Sequence, residues 1–245
     1  VAIIRERGRA TFEAINHQGT VNVVAAAKSC GARRFVHMSA IGAADDPKFP
    51  YLQSKWRGEQ AVTKSGVPYV ILRGSILFGE GDEFVNTLAG LVKAFPLVPV
   101  IGPGRARFQP IHVQDVARCV VQALERDDLL GKAVSIGGPA YFTYDELIDA
   151  LASKLGYLRW KAHVPVPVGR ALVSVMEKAL PHSPATSHEL DMLALDNVAD
   201  LDGVERTFGF TPRPLEGNIE YVGRISYTDA WKITFGFIPK HIRDQ

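Results

Sequence analysis

Phe35-Val36-His37-Met38-Ser39, then Phe49-Pro50-Tyr51-Leu52-Gln53-Ser54-Lys55, then Tyr69-Val70-Ile71-Leu72-Arg73 decide the fold. The first and third runs are short and apolar, rich in β-branched and aromatic residues, and set off by Gly31, Gly42 and Gly66. They read as buried strands. The stretch between them has helical length and ends at Gly66. Strand, helix, strand is the parallel crossover unit, so the chain is expected to be an α/β protein built on a parallel sheet. Within the helix, Tyr51 and Lys55 stand at i and i+4 and share a face. A free phenol with a pKa near 10 is a poor acid or base at neutral pH; a nearby ammonium lowers that pKa, and the same lysine can donate hydrogen bonds to a ribose. The pair can therefore hold a sugar and move a proton beside it, although many solvated helix faces carry the same spacing.

Working outward, Phe12 to Ala27 reads as a long helix stopped by Gly31, and Arg33 to Ser39 as the strand that follows. Asp82 is the expected N-cap of a helix reaching Phe95. Pro96 to Arg107, with Gly102-Pro103-Gly104, reads as turns. Phe108 to Val113 is a short strand, Asp115 caps a helix to about Arg126, and Lys132 to Ile136 is another strand. Thr143-Tyr144-Asp145-Glu146 is a capping box for a helix ending near Gly156. Beyond it the pattern becomes helical and is broken by Pro165, Pro167, Pro181, Pro184, Pro212 and Pro214. Two domains are expected, 1–140 and 141–245, the second a smaller helical lobe for substrate or partner.

Composition narrows the function classes. Twenty-eight basic against 26 acidic residues leave a net charge of +2, and no basic run occurs, which argues against nucleic acid. Cys30 and Cys119 are read as buried thiols of a reducing, cytoplasmic compartment. There is no uninterrupted apolar stretch of membrane-spanning length. Val1-Ala2-Ile3-Ile4 reads as the end of a buried strand, so the chain is expected to begin inside a domain.

The order strand, Ser39, loop, Tyr51-x-x-x-Lys55, strand, Leu72-Arg73-Gly74-Ser75, and later Gln109-Pro110-Ile111-His112-Val113-x-Asp115-Val116-Ala117 resembles the extended and atypical short-chain dehydrogenase/reductases, the NAD-dependent epimerase/dehydratase family. Asn16-His17-Gln18-Gly19-Thr20-Val21-Asn22-Val23 is similar to that family's helix before the serine-bearing strand. A narrower likeness, carried by Phe78-Gly79-x-x-Asp82-x-Phe84-Val85-Asn86 and Pro96-x-x-Pro99-x-Ile101-Gly102, is to the branch containing the NAD(P)H-binding accessory subunit of the complex I alpha subcomplex.

The resemblance implies a Rossmann-like, doubly wound sheet, a dinucleotide (NADP or NAD) and a small-molecule substrate. It implies Tyr51 as general acid/base, Lys55 on the nicotinamide ribose, Ser39 orienting a carbonyl or hydroxyl, and Asn16 completing a relay. Val1, Ala2, Gly74, Ser75 and Ile76 join Tyr51 and Lys55 as expected cofactor contacts. Two departures stand against it. No G-x-G-x-x-G precedes Asn16, so the first half of the sheet is expected to be missing, through fragmentation or loss. Ser39-Ala40-Ile41 stands where many members carry two serines, so Ser39 is either the catalytic or only the structural serine. Asn16 is equally a helix residue bonding backbone, and Gly74-Ser75-Ile76 equally a plain turn.

An oxidoreductase or epimerase and a non-catalytic dinucleotide-holding subunit of a respiratory-type complex both remain open. Asp115 is read as a helix cap and not as a metal ligand beside His112. His37 is taken as a satisfied core histidine, and Trp160 and Trp231 as packing residues. In the tail, Trp231, Phe235 and Ile238 recur at helical spacing near Lys232, Lys240, His241 and Arg243. That stripe packs on the helical lobe or makes peripheral membrane or protein-subunit contact.

Overall fold

Tyr69–Gly74 (β2) is the centre of the molecule: Val70, Ile71 and Leu72 are all buried, as a strand covered on both faces must be. In this computed structural model, which describes residues 2–179, 183 and 185–243, β2 pairs in parallel with Phe35–Ala40 (β1) on one side. On its other side lies Ala133–Ile136 (β7), also parallel. Among the described residues β1 has no partner on its outer edge. One face of the sheet is covered by Gly19–Ser29 (α1) and Pro50–Thr63 (α2), through Val24, Val62 and Val67 against Ile71. The other is covered by Val113–Ala123 (α4) and Gly203–Phe208 (α8), through Val116, Cys119, Val204 and Phe208 against Val70 and Leu72. The three layers are the expected Rossmann-like arrangement.

A second core forms around Phe84–Ala94 (α3), Leu97–Ile101 (β4) and Tyr144–Leu155 (α5). It also takes in Tyr227–Thr234 (α9) and Ile242 of Lys240–Arg243 (α10). Segments on both sides of residue 140 share this core. The two-residue strands Leu77–Phe78 (β3) and Ile111–His112 (β6) pair in parallel, and Arg107–Phe108 (β5) pairs antiparallel with Phe142–Thr143 (β8). Val166–Ala179 (α6) and Ser187–Leu193 (α7) complete the C-terminal half. The capping box at Thr143 forms, and its helix ends at Gly156 in the left-handed conformation.

Several expectations need correction. Glu13–Gln18 is π-helical and leads into α1, which runs to Ser29. The turn-rich reading of Pro96 to Arg107 missed β4, which pairs in parallel with Trp160–Val164 (β9) despite Pro99. A two-stranded ribbon is all edge, where a proline without a donor is tolerated. The strand expected over Phe108 to Val113 is broken in two around Pro110.

Asp115 does not cap α4: the cap is His112, whose Nδ1 accepts from the Gln114 amide at 3.2 Å. Asp115 instead accepts from the Arg213 amide at 2.7 Å. Asp82 lies one residue before the geometric cap, yet its Oδ1 accepts from the amides of Val85 (2.6 Å) and Asn86 (3.3 Å). Cys119 is buried but Cys30 is exposed. Trp160 is 79% exposed and Trp231 47%, so neither is a plain packing residue. Pro181 and Pro184 lie outside the described residues. No helix among the described residues is long and apolar enough to cross a membrane.

Candidate functional site

The C-terminal ends of β1 and β2 open onto a cavity of about 460 Å³, where ligands of open α/β sheets bind. Its lining brings together Ser39 from the end of β1, Tyr51 from the first turn of α2, and Gly74, Ser75 and Ile76 from the end of β2. Pro50 at the first helical turn sets the start of α2, and with it the direction of Tyr51. The Tyr51 ring meets Phe12 edge to face at 6.0 Å.

Ser39 is 7% exposed, and its hydroxyl is buried without a hydrogen-bond partner. A buried orphan hydroxyl is costly, and this one, closed to solvent in a residue that lines the cavity, meets a ligand atom only once the wall shifts. Ser75 is satisfied by the protein, bonding Asn197 Oδ1 at 2.7 Å and its carbonyl at 2.9 Å. It therefore pins the downstream segment over the sheet.

The other expected residues do other work. Lys55 is 7% exposed and its Nζ donates to the Met38 carbonyl at 2.6 Å, outside the cavity lining. Asn16 Oδ1 accepts from the Ile3 amide (2.8 Å), while its Nδ2 donates to the Ile3 carbonyl (2.9 Å) and to Ser54 Oγ (3.1 Å). It clamps backbone, the blander of its two readings. Ala2 is exposed and does not line the cavity, where Ile4 and Arg5 do. Val1 lies outside the described residues.

The electrostatics also differ from expectation. Burial pushes the Tyr51 phenol up to about 12, and no charge or hydrogen bond opposes it. Lys55 does not lower it, because burial depresses the ammonium itself and its proton donor is turned to Met38. A second phenol in the lining, Tyr144, is likewise pushed up to about 12 by burial. His37 is buried with Nε2 unpartnered, so it is not the satisfied histidine expected.

Sequence reasoning missed Arg5, Glu83, Phe84, Tyr144, Glu189 and Asn197 in the lining. Arg5, directly after an apolar run, was the one local signal. The others arrive from segments that no local motif links to Tyr51.

As a test of fit for a nicotinamide dinucleotide, Ser39 and Tyr51, which line one cavity, are residue types that suit its reacting end. Lys55, as oriented, does not reach out to a ribose. Among solved structures, the UDP-glucose 4-epimerase of Thermotoga maritima, determined with UDP-glucose, matches 91% of this chain and 75% of its own (TM-score 0.63, 17% identity). That likeness establishes the fold. Among curated proteins, NADH dehydrogenase [ubiquinone] 1 alpha subcomplex subunit 9 of Arabidopsis thaliana is 31% identical over 67% of this chain and 41% of its own length. A ceramide reductase of Caulobacter vibrioides is 27% identical over 98% of this chain and 74% of its own. The chain spans about half the length of the alpha subcomplex relatives it matches. Over residues 5–137, the stretch that carries β1, Tyr51, β2 and the floor of the cavity, the sequence matches the model of the NAD dependent epimerase/dehydratase family, and the chain belongs to that family.

Proposed function

We propose that the protein binds a nicotinamide dinucleotide, NAD or NADP, and reduces or epimerises a small substrate at a carbonyl or hydroxyl held between Ser39 and Tyr51. The observation that carries this reading is that Ser39 at the end of β1 and Tyr51 of α2 line one cavity, and that the buried Ser39 hydroxyl has no partner in the protein. When bound, a reduced nicotinamide supplies the hydride. Ser39 donates a hydrogen bond that orients the substrate oxygen. Tyr51 stays a phenol at neutral pH and gives its proton to that oxygen as it gains charge, although burial, which pushes it up to about 12, makes it a weak acid in the resting site. The name of the Caulobacter relative, a reductase, supports the reductive direction.

The test is Tyr51→Phe in the whole gene product. Dinucleotide affinity by titration calorimetry stays within a few fold, because the ring keeps its packing, while turnover drops by about 100-fold or more. Turnover equal to the parent's would refute the assignment.

A second reading, a dinucleotide-holding subunit that turns nothing over, is favoured by one feature: Lys55 is committed to the Met38 carbonyl and leaves Tyr51 unactivated. The alpha subcomplex relatives agree with it. In that reading the half-exposed Trp231, Phe235 and Phe237, with Lys232 beside them, form a contact surface for a partner subunit. Dinucleotide binding without turnover in the parent protein would support it.

A further inference from the structure

We propose that the cavity beside Ser39 and Tyr51 takes a substrate whose reacting oxygen sits on an uncharged aliphatic chain, and excludes nucleoside diphosphates; this rests on the reading of that cavity as the reaction site. One side of the cavity is an apolar wall. Phe84, Leu88 and Leu91 recur at i, i+4 and i+7 and form one face of α3, about 10 Å long. Phe108 and, from α7, Met192 and Leu193 add to the lining. An aliphatic chain gains from such walls in proportion to the area it buries.

The described lining offers the diphosphate of a substrate little free positive charge. Among the described residues the one basic side chain in the lining is Arg5, and it is already gripped by Glu189 (2.7 Å) and Glu83 (3.1 Å). Asp196 adds a third carboxylate, held by Arg107 from outside the lining. Three carboxylates against two guanidiniums leave a site that repels a second anion. Three of the helix N-termini that border the lining are closed as well, although α2, which carries Tyr51, has no side-chain cap. The first amides of α3 are taken by Asp82, and the N-termini of α5 and α7 by their own capping boxes. Helix-end amides are the usual seat of a phosphate, and at these three helices they are spent on carboxylate or threonine oxygens of the chain.

The experiment is competition on the whole gene product, with Nile red as fluorescent reporter and 2-decanone or UDP-glucose as competitor. The ketone displaces Nile red and UDP-glucose at a hundredfold higher concentration does not. Leu91→Lys, which buries a charge in the wall, and Thr87→Trp, which fills the cavity from the same helix face, each weaken ketone binding by about tenfold or more. Circular dichroism checks that each variant is folded; where one is not, the competition on the parent decides alone. Displacement by UDP-glucose, failure of the ketone to displace, or ketone binding unchanged in both folded variants overturns the proposal. Ketone displacement without dinucleotide binding supports the cavity's selectivity and refutes the oxidoreductase reading. UDP-glucose displacement accompanied by dinucleotide-dependent turnover does the reverse.

Discussion

Replacing His37 by leucine makes the protein less sensitive to acid. His37 lies on β1 under α2, stacked on Phe35, with Nε2 unpartnered. Its pKa falls from 6.5 to about 4, first through burial, then through the Lys55 charge, with Glu59 acting in the opposite direction. Glu59 is itself occupied by Arg73 of β2 at 2.6 and 2.9 Å, so little negative charge is left to hold a proton on the ring. With the folded pKa depressed, the unfolded chain takes up a proton as the pH falls through 6.5, and the folded protein does not follow until about 4. The resulting loss of stability is near zero at neutral pH and reaches about 2–3 kcal/mol at about pH 4.5. For a chain of this size that is a fall in melting temperature of roughly 5–10 °C. The measurement is urea or thermal unfolding of the parent and His37→Leu at about pH 7 and pH 4.5, compared as the change in each between the two conditions. Other titrating groups cancel in that comparison. Parallel pH dependence in the two proteins would show that His37 is protonated in the folded state and that the argument from burial is wrong.

Asp82 gives the opposite slope: burial pushes it up to about 6 despite hydrogen bonds from Tyr221 and three amides, so its contribution is full below about 3.8 and fades as the pH rises through 6. Asp82→Asn should flatten that part of the stability profile in the same unfolding experiment. Gly138→Ala should unfold the protein or cost several kcal/mol, because a Cβ there would lie 1.9 Å from the Pro110 carbonyl oxygen. Gly223→Ala, where nothing lies within 4 Å, should stay within about 0.5 kcal/mol in denaturant titration. Trp231→Ser with Phe235→Ser should leave folding intact and abolish any salt-sensitive pelleting with anionic liposomes; pelleting that survives both changes assigns it to another surface.

The parts legible in sequence were those whose signal is local. β1, α2 and β2 follow from apolar runs, a proline start and glycine stops, and the α5 capping box from four adjacent residues. The Tyr51–Lys55 spacing was correct as a statement about one helix face. Where Lys55 ends depends on the Met38 carbonyl, seventeen residues away across a packing layer, which spacing does not encode. β4 was hidden because Pro96, Pro99 and Gly102-Pro103-Gly104 carry turn chemistry, and its partner β9 lies some sixty residues downstream. Asn197 reaches Ser75 across 122 positions. The site is assembled by long-range packing, so its chemistry could be listed from the sequence but its walls and its charge balance could not.

The seating of α9 against α3 sets the order in which the molecule can mature. A Cβ on Gly90 would meet Ile233 at 2.7 Å, so the two helices close onto each other through a gap that only glycine leaves. The outer face of α3 therefore waits for a segment made 140 residues later, while its inner face is the cavity wall. During synthesis the sheet can condense once β7 has emerged, but Phe84, Leu88 and Leu91 have no fixed backing until α9 and α10 arrive. A chain that stops short of α9 would hold the sheet above a slack cavity, and the ability to choose a substrate would come later than the sheet itself.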